Sequence, residues 1–332
     1  MNIEALRILM TLCVVSVHLS GELHYWSAGW LAVEFFFILS GFLMTLTFNP
    51  NQTVLSFLKR KIIRFYPLIV FTPIIRGLFS HNIFWPDMFA DFMMLNYRGL
   101  HWGFGTNSDA WYIKDMLIVM LFMFYLMKTQ RKEICNIVIG VLVFFCYCGV
   151  VQNGWGNPDG LGQKGDFGFI FNSLFLRAIA NMGLGYFIAQ LFANCSSEKQ
   201  TCSVKYSVFE FVVFLYAFAG MSSPYFYPEN PLFSVICFAV LIGLFIQKRG
   251  VLSRFLEHPV FAQGAQYCLA VYLTHGCLVR DVLPRVLKKY SYFEEHLGET
   301  IFLFFLSAVI FGIIVHHVIE KPAVAIMKKL LE

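Results

Sequence analysis

Two ionisable residues interrupt an otherwise apolar stretch near the start of the chain. Arg7 and His18 stand eleven positions apart within EALRILMTLCVVSVHLSG. In a helix, eleven residues make three turns plus about 20°, so both side chains share one face and lie about 16 Å apart along the axis. A guanidinium binds anions, and an imidazole can accept a proton near neutral pH. Since an ionisable group within a membrane costs about 3 kcal/mol, both residues are candidates for a polar path through the protein.

A carboxylate follows in the next apolar stretch. Glu34 stands within GWLAVEFFFILSGFLMTLTF, residues 29–48. The two stretches run in opposite directions and are joined by a short loop, so we expect Glu34 and His18 at similar depth. A carboxylate beside an imidazole fixes its tautomer and raises its basicity. The pattern therefore predicts His18 as a general base that Glu34 orients.

Simpler explanations for these residues remain open. Arg7 could extend to the cytoplasmic lipid headgroups, and His18 could be hydrogen-bonded between helices. His18 has no second potential metal ligand at helical spacing except Glu22, and the nine cysteines form no CxxC pair. We therefore expect no metal and no disulfide framework.

A dense run of positive charge lies further along, in FLKRKIIRFYPL, residues 57–68. Its basic residues are Lys59, Arg60, Lys61 and Arg64. Arginines bind phosphate in a bidentate manner, so the run predicts a site for a donor that carries several phosphates on a long tail. The alternative is topological, because any cytoplasmic loop of a membrane protein collects Lys and Arg.

The composition determines which kind of element must position these residues. The chain is 58% hydrophobic and 18% aromatic but only 14% charged, whereas soluble domains carry about 25% charged residues. This indicates an all-α, polytopic membrane protein, and we treat residues 1–332 as a single transmembrane domain. The net charge of +5 does not suggest nucleic acid, since the placement of basic residues matters more in a membrane protein than their sum.

Hydrophobic runs predict about ten transmembrane helices. We place them at 5–20, 29–48, 62–80, 111–128, 134–151, 169–193, 206–222, 231–247, 266–283 and 299–318, with an interfacial element near 84–97. Alternate loops and the C-terminal tail hold fifteen of the 25 basic residues, and the opposite loops hold five. This asymmetry predicts both termini in the cytoplasm. Aromatic-rich outer loops at 153–168 and 221–230 are typical of membrane anchoring or of sugar binding.

Taken in order, these segments resemble the acyltransferase 3 family of integral-membrane O-acyltransferases, which includes O-antigen and exopolysaccharide acetylases. Arg7 and His18 match its R-x10-H signature, and AVEFFFILSGFL (32–43) is similar to its second-span motif. FLKRKIIRFYP (57–67), WYIKDMLIVMLF (111–122), YCLAVYLTHG (267–276) and EKP (320–322) are similar to its later motifs. Ala32, where the family usually has Gly, and the charged pair Lys114 and Asp115 depart from the pattern.

The resemblance implies transfer of an acyl group, usually acetyl, from cytoplasmic acyl-CoA to a hydroxyl of a glycan or lipid-linked saccharide in the cell inner membrane. It implies catalytic roles for His18 and Arg7, with His18 as the base or as the acyl carrier, and it assigns the CoA phosphates to the basic run. Trp111, Asp115 and His275 lie in motif segments and become candidates for substrate binding. Two rival interpretations are a transporter or flippase for a lipid-linked glycan with a proton-relay histidine, and a non-catalytic envelope partner.

Overall fold

The structure is a computed structural model that describes residues 3–19, 28–80, 85–94, 107–152, 173–192, 202–222 and 231–331. Every regular element in these ranges is helical, which agrees with the all-α prediction. The first helices are α1 (Glu4–Leu19), α2 (Ala32–Leu46), α3 (Val54–Ser80), α4 (Trp85–Phe92), α5 (Trp111–Thr129), α6 (Lys132–Gln152), α7 (Ser173–Phe192) and α8 (Val204–Ser222). The remaining ones are α9 (Leu232–Gln247), α10 (Val251–Phe255), α11 (Pro259–Ala265), α12 (Cys268–Val279), α13 (Leu283–Lys289), α14 (Ser291–Glu295), α15 (Leu297–Val315) and α16 (Lys321–Leu331).

Several helices have the length and composition of membrane spans. Within the described ranges, six segments qualify, namely Gly29–Leu46, Val54–Phe79, Lys132–Gln152, Ser173–Phe192, Val204–Met221 and Leu297–Leu331, and the shorter helix Leu232–Gln247 is also apolar. The chain is therefore a polytopic membrane protein, while the count of ten spans and the cytoplasmic termini stay predictions. A short helix, α4, lies in the stretch expected to be interfacial. The loop 153–168 and residues 223–230 lie outside the described residues.

The chain forms two compact units that interleave along the sequence. The first comprises residues 1–13, 25–54 and 115–265, and the second comprises residues 14–24, 55–114 and 266–332. Helix α1 contributes to both, because the division falls within it.

In the first unit, two glycines allow α2 and α7 to pack backbone against backbone. A Cβ on Gly41 would overlap the backbone of Met182, and one on Gly185 would overlap the backbone of Ile38. Small residues permit such close approach in membrane proteins, where dispersion contacts replace the hydrophobic effect between helices. The packing fixes α7 against the helix that carries Glu34.

In the second unit, the end of α1 packs on α12 and α15. The buried cluster here comprises Val15, Leu19, Val271, Val279, Leu283, Ile301 and Ala308. Gly312 of α15 meets the backbone of Val271, where a Cβ would overlap it. Because Val15 and Leu19 flank His18, and Val271 and Val279 flank His275, this apolar core holds the two histidines in register.

Candidate active site

Four side chains from three separate segments meet in the second unit. His18 comes from α1, Asp109 from a short turn of 3₁₀ helix (Ser108–Ala110), His275 from α12 and Arg280 from the end of that helix. Each histidine Nε2 lies 3.9 Å from an oxygen of Asp109, with His18 facing Oδ1 and His275 facing Oδ2. The two imidazole rings are stacked, with their centroids 5.1 Å apart. We refer to these four residues as the histidine cluster.

Arg280 joins the carboxylate of the histidine cluster to His18. Its Nη2 lies 2.9 Å from Asp109 Oδ1 and 2.6 Å from His18 Nε2. A guanidinium has only N–H donors, so the ring nitrogen that it contacts acts as an acceptor. The contact therefore favours a neutral His18, and Arg280 must move away from the ring before that lone pair can act as a base or a nucleophile.

A second guanidinium borders the cluster. Arg76 of α3 binds Asp281 through two hydrogen bonds of 2.9 and 3.0 Å. A Cβ on Gly276 would lie 3.7 Å from the Arg76 guanidinium carbon and 2.8 Å from Asp109 Oδ2. The glycine that follows His275 thus lets these two charged groups approach α12.

The charges around Asp109 determine its protonation. Burial by itself raises the pKa of this carboxyl, but the positive charge of Arg280 and the smaller effects of the histidines and Arg76 outweigh burial. They hold the pKa of Asp109 well below its usual range. Asp109 is therefore an ionised acceptor at every physiological pH.

The histidine cluster also contains the side-chain types that bind divalent metals. Potential ligand atoms of His18, Asp109 and His275 lie within 4.8 Å of one another, although their sequence spacing predicted no such set. Arg280 Nη2, however, lies within hydrogen-bonding distance of both His18 and Asp109, and Arg76 adds a second positive charge nearby. A metal ion bound by His18 and Asp109 would have to displace Arg280 from both residues, so the arrangement disfavours a metal cation.

A buried polar network positions the turn that carries Asp109. Lys114 Nζ lies 3.4 Å from Asp91 Oδ1, and Asp91 Oδ2 accepts the backbone N–H of Asn107 at 3.1 Å. The Asn107 side chain donates to Thr72 Oγ1 at 2.6 Å and accepts the Asp109 N–H at 3.2 Å. We call Lys114, Asp91, Asn107 and Thr72 the turn network. Because all four residues are buried, the network restricts where the Asp109 carboxylate can lie.

The structure gives Glu34 a partner other than His18. Arg177 and Asn181 of α7 bind the Glu34 carboxylate within the first unit, with Arg177 Nε 2.5 Å from Oε1. The expected pairing of Glu34 with His18 is therefore corrected, since the carboxylate beside His18 is that of Asp109. The sequence indicates how deep in the membrane each residue lies, but residues at equal depth can belong to helices that are not neighbours.

The other predicted residues occupy several helices. Arg7 lies in α1, where its Nη1 pairs with Glu4 at 2.5 Å. The basic run, Lys59, Arg60, Lys61 and Arg64, lies in the first half of α3 with Arg60 and Arg64 exposed. Trp111 and Asp115 lie in the first turns of α5 and are half-buried, and His275 lies in the histidine cluster.

Sequence reasoning missed Asp109, Arg280 and the turn network. A signal was present for some of them, because Asp109 stands two residues before the WYIKD motif segment and Arg280 five residues after His275. Basic residues inside or at the ends of apolar runs mark functional positions, and Arg280 and Lys114 both belong to that class.

Comparison with known proteins identifies the family to which these features belong. Curated proteins and solved structures give no significant match to the chain. A family model described as an acyltransferase domain matches residues 2–319, nearly the whole chain. The segment that it covers contains the histidine cluster and the turn network. The chain belongs to the acyltransferase 3 family and is a membrane acyltransferase.

Proposed function

We propose that the protein transfers an acyl group, acetyl in the first instance, from cytoplasmic acyl-CoA to a hydroxyl of a cell-envelope glycan or lipid-linked saccharide. The histidine cluster is the observation that supports this reaction, because it combines two imidazoles, an ionised carboxylate and a guanidinium in one place, with Asp109 and His275 buried and His18 and Arg280 partly exposed. The inner membrane is the compartment in which cytoplasmic acyl-CoA and an exported glycan are both accessible.

In this proposal, His18 assists the attack of a sugar hydroxyl on the thioester carbon. It does so either by taking the hydroxyl proton or by carrying the acyl group as an acyl-imidazole. A positioned base contributes about 10²–10⁴-fold to such a reaction. Arg280 lies next to His18 and supplies positive charge where the carbonyl oxygen becomes negative in the transition state.

The CoA phosphates are assigned to the basic run of α3. Arg60 and Arg64 are exposed there, so their guanidiniums are accessible to a ligand. Arg7 is on the same helix as His18, eleven residues before it, and is assigned to the donor's tail. Glu34 supports the structure of the first unit through Arg177, and Trp111 and Asp115 remain candidates for contacts with the acceptor.

To test this proposal, purified protein in lipid nanodiscs is incubated with radiolabelled acetyl-CoA and total envelope glycan, and transfer of the label to the glycan is measured. His18→Ala should lower label transfer at least 100-fold, and Arg280→Gln should lower it strongly. His296→Ala is the matched control, because His296 is an exposed histidine of the same unit, and it should keep full activity. Label transfer by His18→Ala at the wild-type rate would contradict the mechanism.

A further inference from the structure

Two polar atoms of the histidine cluster are buried without a hydrogen-bond partner among the described residues. They are His275 Nε2 and Asp109 Oδ2. The residues that carry them are 0% and 5% exposed. A buried polar atom without a partner costs about 1–3 kcal/mol, so two of them facing each other require an explanation.

The hydrogen bonds of His275 define what its free nitrogen offers. Nδ1 lies 2.6 Å from the backbone carbonyl oxygen of Tyr272. A carbonyl oxygen can only accept, so Nδ1 carries the proton and Nε2 of the neutral ring presents a lone pair. Asp109 Oδ2, which belongs to an ionised carboxylate, is also an acceptor. Two acceptors therefore face each other with no donor from the described residues between them.

The separation of these atoms fits one intervening oxygen. Nε2 and Oδ2 are 3.9 Å apart, which is too long for a direct hydrogen bond. A single water can bridge two acceptors at such a distance because it has two O–H groups, whereas a hydroxyl has one and donates to one of them. The donors that satisfy it are O–H groups, since the positive charge of Arg280 on the same carboxylate disfavours a metal cation.

Gly276 keeps this position open. A Cβ at residue 276 would lie only 2.8 Å from Asp109 Oδ2, so any other residue type would crowd this side of the carboxylate. The adjacent oxygen, Oδ1, is occupied by Arg280 at 2.9 Å. The two oxygens of Asp109 thus have different roles: Oδ1 holds Arg280, while Oδ2 is left for an incoming donor.

We propose that His275 Nε2 accepts the O–H of the hydroxyl group that receives the acyl group and then takes its proton, while Asp109 Oδ2 accepts a second O–H, from a neighbouring hydroxyl of the acceptor or from a water. This inference rests on the proposed function and assigns the proton to the second histidine of the cluster. The ligand is an O–H oxygen, which is either a sugar hydroxyl of the acceptor or a water that takes its place and leads to hydrolysis of the thioester.

The hydroxyl oxygen forms a bond to the acyl carbon while its proton moves to His275 Nε2. The bond from that carbon to the CoA sulfur breaks, and its electron pair leaves on the thiolate. The thiolate then takes the proton from His275, so the products are the ester and CoA thiol. If the acyl group first passes to His18, the His18 nitrogen displaces the CoA thiolate; the hydroxyl oxygen then bonds to the acyl carbon as its proton moves to His275, the bond from that carbon to the His18 nitrogen breaks with its electron pair returning to His18, and the thiolate takes the proton from His275.

Two substitutions separate binding from proton transfer. In His275→Asn, the side-chain amide can still donate to the Tyr272 carbonyl, but nothing replaces Nε2. In His275→Gln, an amide group reaches the position of Nε2 and can hold an oxygen but cannot take a proton near neutral pH. His296→Asn is the control. Folding is checked for each variant by gel filtration and by its melting temperature.

The assay uses acetyl-CoA with total envelope glycan as acceptor, and acetyl-CoA alone to measure hydrolysis. His275→Asn should lower kcat for transfer about 100-fold or more and leave KM for acetyl-CoA within about threefold. His275→Gln should lower kcat similarly while the KM for glycan stays near the wild-type value. A fall in hydrolysis alongside transfer means that water uses the same site, and unchanged hydrolysis means that the acceptor hydroxyl alone does.

Folded His275→Asn protein that transfers label at a rate within threefold of wild type would overturn the inference. So would a variant whose only defect is a raised KM for acetyl-CoA, because that places His275 on the donor. Wild-type protein that transfers no label contradicts the proposed function itself, so failure at the two levels is distinguishable.

Discussion

Removal of the buried lysine of the turn network should cost more stability than removal of the whole ion pair. Lys114 is 5% exposed, and its partner Asp91 is fully buried at a separation of 3.4 Å. Lys114→Met leaves the Asp91 carboxylate in place without this cation. The double variant Asp91→Asn/Lys114→Met removes both charges, and the Asn oxygen can still accept the N–H of Asn107.

The magnitude follows from the geometry. Two unit charges 3.4 Å apart attract by roughly 5 kcal/mol at an effective dielectric constant of about 20. Removal of one member of a buried pair typically costs about 3–5 kcal/mol, whereas replacement of both by neutral groups is often without effect. We therefore expect Lys114→Met to lose about 4 kcal/mol and the double variant to stay within about 1 kcal/mol of wild type.

A third variant tests whether the network acts on Asp109. Asp91→Leu/Lys114→Met removes the charges and also the acceptor for the Asn107 N–H, which is 3.1 Å from Asp91 Oδ2. This protein should fold, but the turn before α5 loses an anchor. A displacement of about 1 Å at a reacting group can lower a rate on the order of 100-fold, so kcat should fall at least tenfold while KM for acetyl-CoA stays near the wild-type value.

The assay combines thermal unfolding in nanodiscs with acetyl-transfer kinetics. A loss of about 4 kcal/mol corresponds to a fall of roughly 10 °C in Tm. Equal melting temperatures for Lys114→Met and for the Asp91→Asn double variant would refute the ion-pair reasoning. Wild-type kcat in the Asp91→Leu double variant would refute the positioning of Asp109 by the network, whatever the stability data show.

Three further predictions concern other parts of the molecule. Glu34→Gln should lower Tm, because it leaves the Arg177 guanidinium buried without its carboxylate. The kcat of the folded variant should stay within about threefold of the wild-type value. A large loss of kcat at unchanged Tm would instead support a catalytic Glu34. Gly41→Ala should destabilise the protein by about 2 kcal/mol or more, since the added Cβ would overlap the facing helix. At Gly298 a Cβ would have no neighbour within 4 Å, so Gly298→Ala should be neutral or slightly stabilising in thermal unfolding. Equal changes in Tm for the two variants would contradict the close packing at Gly41. The pKa of Asp109 is lower in the folded protein than in the unfolded chain, so its ionised form stabilises the fold above the ordinary pKa of an aspartate, and this stabilisation is lost only as pH falls through the folded pKa. The Tm difference between wild type and Asp109→Asn should therefore be constant from about pH 5 to 8. A Tm difference that changes within that range would refute this prediction.

Much of the fold could be predicted from composition and hydrophobic runs. The helices α2, α6, α7, α8 and α9 lie where apolar stretches were expected, because about twenty apolar residues are needed to span a bilayer. The site was harder to predict. Arg280 and His18, which are in contact, stand 262 positions apart, and Arg177 and Glu34 stand 143 apart. Hydrophobicity carries information on depth but none on which helices are neighbours, so the partner of each charge could not be assigned.

Five basic residues lie within or at the ends of apolar runs, where the positive-inside rule for loops does not apply. In the structure each pairs with a carboxylate, as Arg7–Glu4, Arg76–Asp281, Lys114–Asp91, Arg177–Glu34 and Arg280–Asp109. An isolated charge in the membrane interior is too costly to keep, so each such cation predicts a nearby acid even when the sequence cannot identify it.

This pairing also limits which groups can take part in proton transfer. In the second unit, Asp91, Asp109 and Asp281 are each neutralised by a lysine or an arginine. A carboxylate held in such a pair is a poor proton acceptor near neutral pH, because protonation would leave its cation buried and uncompensated. The imidazoles of His18 and His275 are the other groups of the histidine cluster that carry nitrogen lone pairs able to accept a proton. In the reaction that we propose, the proton of the acceptor hydroxyl would therefore pass to a histidine, and His275 Nε2, which has no partner among the described residues, presents a lone pair that can receive it.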